Sequence, residues 1–187
     1  MNHIKHSINR LISADELSRM SSEEIVGHIA LNMYHSDFSS IRENIGALPE
    51  VLRDILLLID FDTELSMNGI VGFLENTSGC YLNETIKALG NIQQTKDQAI
   101  MISIKEVLEE HGICTEKLRG NMNHLTVNQV SYSSKTHGDD IRHVLMLVEK
   151  EAEQLYLYRD DEDLFDALFQ YVEINQDELI KDIKRIV

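Results

Sequence analysis

Apolar residues recur along this chain at intervals of three and four, and runs that alternate apolar with polar are absent, so the sequence is predicted to be all-α. Ile4, Ile8, Leu11 and Ile12 keep helical spacing, but Ser13 and Asp15 interrupt them; residues 1–20 are read as one short helix or an N-terminal arm. Ser21 with Glu24 three residues on is a capping-box signature. Ile25, Ile29 and Met33 continue it as an apolar stripe, which predicts a helix over 22–34. The polar stretch 35–48 ends at Pro49, the only proline, a residue suited to a first helical turn because its missing N–H is unneeded there. From Val51 to Leu65 apolar residues lie nearly all round, and this predicts a central, buried helix.

Leu82, Ile86 and Leu89 mark the next helix, and Thr95 with Asp97 opens another that carries Ile100, Ile104, Val107 and Leu108 and closes at Gly112. Residues 115–138 are polar and read as a long loop with a turn near Glu116 to Arg119 and room for a short hairpin. Asp139 and Asp140 begin the clearest helix, with Ile141, Val144, Leu145, Val148, Ala152 and Leu155 on one stripe. The run Asp160 to Asp163 starts a helix bearing Leu164, Phe165, Leu168 and Phe169, and a separate last helix is expected after Asn175. The reading is a single all-α domain over 1–187, a compact bundle of eight to nine helices.

Composition narrows what such a bundle can do. Seventeen Lys and Arg face 32 Asp and Glu, a formal charge of −15, which repels nucleic acid and anionic membranes and favours basic protein partners. Acidity that serves solubility alone is the plainest alternative. Cys80 and Cys114 make no disulfide framework, and no run approaches the ~18 apolar residues of a membrane span, so a cytoplasmic protein is expected.

Catalytic and metal chemistry find little support. His111 and Cys114 form an H-x-x-C pair beside Glu109 and Glu110, yet His111-Gly112 is an ordinary helix end, and no metal site is expected. Asp139 and His143 share a helix face, which an N-terminal carboxylate beside a surface histidine explains equally well. Ser131, Ser133, Ser134 and His137 lie in one polar loop without a nucleophile elbow. The reading is therefore no enzyme and no cofactor.

Two features remain. From Asp139 to the C-terminus fourteen acids face six bases, a net of −8, and carboxylates three or four apart on a helix lie about 5–6 Å apart, on the scale of successive backbone phosphates. Glu149, Glu153, Asp160, Asp161, Asp163 and Asp166 are the partner-binding candidates of that surface. The other feature is the stretch Glu64 to Ile92. Asn68, Gly69 and Gly72 sit inside an apolar helical pattern, and Asn76-Thr77-Ser78-Gly79 predicts a stop and restart, with Gly79 left-handed and the hydroxyls capping the next helix.

That stretch resembles the bacterial DNA-mimic protein family, an acidic helical family formerly a domain of unknown function, over about Leu48 to Gly112. Glu64, Gly69, Asn76, Ser78, Gly79, Glu84, Ala88 and Leu89 match its pattern without a gap, and Phe73, Leu74 and Thr77 are conservative replacements. Ser66, Met67, Asn68, Ile70 and Gly72 depart from it. The resemblance implies a protein that occupies the nucleic-acid-binding face of a basic DNA-binding protein, such as a transcription regulator or nucleoid protein, with Glu64, Gly69, Asn76, Ser78 and Gly79 as a structural motif. The rival reading is an immunity- or antitoxin-like inhibitor of a basic toxin. Self-association into a homodimer is left open.

Overall fold

The computed structural model describes residues 2–123, 136–159 and 162–186. The fold is all-α, apart from two-residue extended segments at Tyr158–Arg159 and Glu162–Asp163. The chain divides into two compact units, Met1–Ile59 with Asp160–Val187 and Asp60–Arg159, where the sequence reading has one domain over 1–187. Helix Glu50–Glu75 supplies residues to both.

In the first unit, helix Leu164–Ile186 packs against Ser22–Asn32, Ala14–Leu17 and Asn2–Leu11. Its apolar stripe of Leu168, Val172, Leu179 and Ile183 is fully buried. Each such side chain contributes about 1.5–3 kcal/mol by leaving water. Residues 2–17, expected as one short helix or an arm, form two helices that bury Ile8, Leu11, Ile12 and Leu17. The apparent interruption at Ser13 is itself a capping box: Glu16 N–H donates to Ser13 Oγ at 3.3 Å, and Ser13 N–H donates to Glu16 Oε2 at 2.9 Å. Ser21 and Glu24 make the same reciprocal pair at 3.2 and 2.8 Å, as their spacing predicts. The break expected at Asn175 is absent, because Asn175 Nδ2 donates to Tyr171 O one turn back and Gln176 reaches out to Leu17 O and Met20 O. Both polar side chains are thus satisfied without ending the helix.

In the second unit, helix Thr95–Glu110 lies between Leu82–Asn91 and Asp139–Ala152. Ser103 Oγ donates to Glu151 Oε2 at 2.9 Å and Tyr156 N–H to Asp97 Oδ1 at 3.3 Å, so the helices Thr95–Glu110 and Asp139–Ala152 run antiparallel. Gly112, with φ 64°, ends the helix before it as predicted, its N–H donating to Glu109 O at 3.0 Å. The predicted loop is corrected in its first part. Thr115–Asn123 is a helix that buries Leu118, and the rest of that loop to residue 135, with the hairpin considered there, lies outside the described residues. Among the described residues no helix is long and apolar enough to cross a membrane.

Candidate functional site

The motif Glu64 to Gly79 resolves into a bracketed helix break. Helix Glu50–Glu75 breaks at Gly69, whose φ of 67° and ψ of −177° suit only glycine. Glu64 Oε2 accepts from Asn68 Nδ2 at 2.8 Å and from Asn76 Nδ2 at 2.7 Å, so one carboxylate ties the turn before the break to the residue that ends the helix. Phe61 and Phe73 close the same break from the apolar side, ring edge to ring face with centroids 5.1 Å apart. The expectation for Gly79 is corrected: φ is positive at Gly69 and Gly112, not at Gly79. Gly79 is required for space, because a Cβ there would stand 2.8 Å from Leu74 Cα and closer still to the Leu74 carbonyl oxygen. Nor do the hydroxyls cap the next helix. Thr77–Tyr81 is a 3₁₀ turn without a side-chain cap, and Ser78 Oγ donates back to Phe73 O at 3.4 Å. Every motif residue therefore has a structural task.

Next to Asn76 lies a group the sequence reading missed. Glu75 is buried, and its Oε1 stands 2.7 Å from Nε2 of His137, whose side chain is fully enclosed. A carboxylate only accepts here, so the proton lies on Nε2, and Nδ1 accepts from Asn121 Nδ2 at 3.0 Å. His137 stands next to Gly138, the cap of helix Asp139–Ala152, so this chain of bonds ties that helix start to the C-terminal end of helix Glu50–Glu75. No local signal exposes it: the partners are 62 residues apart. Ser131, Ser133 and Ser134, grouped with His137 by sequence, lie outside the described residues.

The other candidate side chains are placed as surface or as caps. His111 Nδ1 lies 2.9 Å from Val107 O, one turn back at its own helix end. Among the described residues no group of three or more His, Cys, Asp or Glu could hold a metal ion. Asp139, Arg142, His143, Met146 and Glu149 line an open groove of about 420 Å³, where Arg142 is paired with Asp139.

The six acids of the candidate binding surface divide between the two units. Glu149 and Glu153, exposed at the end of helix Asp139–Ala152, belong to the second. Asp163 and Asp166 belong to the first, and Asp160 and Asp161 lie outside the described residues. Asp163 has a structural task, since its Oδ1 accepts from Phe165 N–H at 2.9 Å and Asp166 N–H at 3.2 Å at the start of the last helix. Asp166 is exposed, and so are Glu173, Asp177 and Glu178 further along the same helix. Those three acids are absent from the six, and the unbroken helix Leu164–Ile186 places them on the same element as Asp166. Asp166, Glu173 and Asp177 fall on one face, about 10 Å and 6 Å apart along the axis at 1.5 Å per residue.

A family model described as DMP19-like protein matches residues 46–175. No curated protein and no solved structure matches the chain.

Proposed function

This chain belongs to the DMP19-like protein family of DNA mimics, and on that premise we propose that it acts by binding, presenting an acidic helical surface to the nucleic-acid-binding face of a basic protein such as a transcription regulator. It does so in the cytoplasm, with no cofactor and no catalysis. The observation that carries the reading is the stretch from Asp160 to Ile180, which holds eight acids and no base. Within it Asp166, Glu173 and Asp177 stand exposed along one helix face. A helix holds its carboxylates at fixed spacing, as a duplex holds its phosphates, so a groove built to neutralise phosphates meets charges it can neutralise without rearranging. Each exposed charge contributes little alone, and the row acts together through its field. Glu149 and Glu153 give the second unit an acidic pair of its own.

The test starts from the immobilised chain in host lysate at low salt, eluted in salt steps. The retained protein should be basic, should be displaced by added duplex DNA, and should lose affinity at least about tenfold between 50 and 200 mM salt. The triple variant D166K/E173K/D177K should weaken that complex by about tenfold or more while its helical circular dichroism stays unchanged. Unaltered affinity would remove this helix from the binding face. Tight binding indifferent to salt and to DNA would count against mimicry altogether.

A further inference from the structure

The chain has two cysteines, 80 and 114, and both are exposed free thiols. They are far apart in sequence, yet they line one small cavity of about 140 Å³ together with Gly79, Lys105 and Glu109. The cavity lies where the turn Thr77–Tyr81 packs against helix Thr115–Asn123.

Each sulfur has a distinct setting on that helix. Arg119 Nη1, from the helix interior, donates to Cys80 Sγ at 3.8 Å. Cys114 stands just before the first helical residue, its carbonyl accepting from Leu118 N–H at 3.2 Å, so its side chain sits at the positive end of the helix dipole. Arg119 and the start of the same helix thus hold the two sulfurs at one cavity. The negative charge of Glu109 is met by Lys105 Nζ at 3.5 Å.

From this juxtaposition we propose that Cys80 and Cys114 form a dithiol–disulfide couple, a redox modification site whose co-reactant is a hydroperoxide. The Cys80 thiolate attacks a peroxide oxygen, the O–O bond breaks, and the sulfur becomes a sulfenic acid while the leaving hydroxide takes a proton and departs as water. The Cys114 thiolate then attacks that sulfur, the S–S bond forms, and the sulfenic hydroxyl leaves with a proton as a second water. Two thiols and one hydrogen peroxide give one disulfide and two waters, the sulfurs losing the two electrons the peroxide gains. The product staples the turn Thr77–Tyr81 to the start of helix Thr115–Asn123.

The experiment treats the purified full chain with hydrogen peroxide, blocks remaining thiols with N-ethylmaleimide, and reads the intact mass. The expected product is a monomer about 2 Da lighter, with no blocked thiol, restored by dithiothreitol, and melting about 5–10 °C higher than the reduced chain. The variants C80S and C114S should each stop at a sulfenic acid or its over-oxidised forms, and Arg119→Met should slow loss of the Cys80 thiol severalfold in unaltered fold. Two thiols that oxidise independently, to sulfinic acids or to linked dimers, would overturn the proposal, as would two thiols still open to N-ethylmaleimide after treatment that oxidises free glutathione.

Discussion

At Gly69 a single absent Cβ decides the course of the backbone. Glu64, Asn68 and Asn76 supply hydrogen bonds around the break, but none of them could hold an L-residue at φ 67° without strain. Gly69→Ala should therefore cost about 1–3 kcal/mol, read as a lower urea midpoint with an unchanged slope. Gly79→Ala should cost more, because its Cβ meets the Leu74 backbone, which has no rotamer by which to yield. An equal or smaller loss at Gly79 would show that the turn Thr77–Tyr81 can shift off Leu74. Both glycines are visible in sequence as interruptions of an apolar pattern. Which needed the conformation and which needed the space is a property of their neighbours, and the sequence-based assignment to Gly79 is reversed for that reason.

Among the elements, the last helix carries the most. Its inward face seats Tyr171, whose hydroxyl donates to the buried Asp54 Oδ2 at 2.9 Å. Burial, then the charge of Asp54 and this hydrogen bond, push the Tyr171 phenol above its ordinary value of 10.0. Below that value the phenol is protonated in both folded and unfolded chains, and its contribution to stability is fully present. As pH rises beyond it the unfolded chain gives up the proton first, so stability falls toward the folded pKa. The urea midpoint should accordingly drop between about pH 9 and pH 11, and Tyr171→Phe should drop less over the same range. An identical drop in the variant would assign the alkaline loss to other groups, Tyr81 first, whose phenol burial also raises. The outward face of the same helix carries Asp166, Glu173 and Asp177, so one element both anchors the first unit and displays its acids.

At the scale of the molecule the charge is shared. The first unit has 17 acids against 8 bases, a net of −9, and the second 15 against 9, a net of −6. Acidity is thus not confined to the C-terminal third, where the sequence reading places most of it. Self-repulsion of this kind destabilises a compact chain and is screened within about 8–10 Å at physiological salt. Raising sodium chloride from 20 to 300 mM should raise the melting temperature of the isolated protein by a few degrees, while the same salt dissociates a complex held by those charges. A melting temperature that falls with salt would mean that attractive pairs outweigh the repulsion. Opposite responses of fold and complex separate the role of the acids in binding from their cost in folding.

Local chemistry determined most of the helices, the capping box at Ser21 and the stop at Gly112, because each depends on residues within a few positions of one another, and the overall charge follows from composition alone. The family pattern was legible for the same reason: Glu64 to Gly79 is one contiguous stretch with its spacing intact. Only the tertiary structure decided that Glu64 brackets a broken helix, that Asn175 continues a helix rather than starting one, and that Glu75 encloses His137. It also decided that Cys80 and Cys114 line one cavity. In those cases the partner comes from another turn or another helix, and the energy that fixes the outcome, the satisfaction of a buried polar group or the exclusion of a Cβ, exists only once the chain has closed around it.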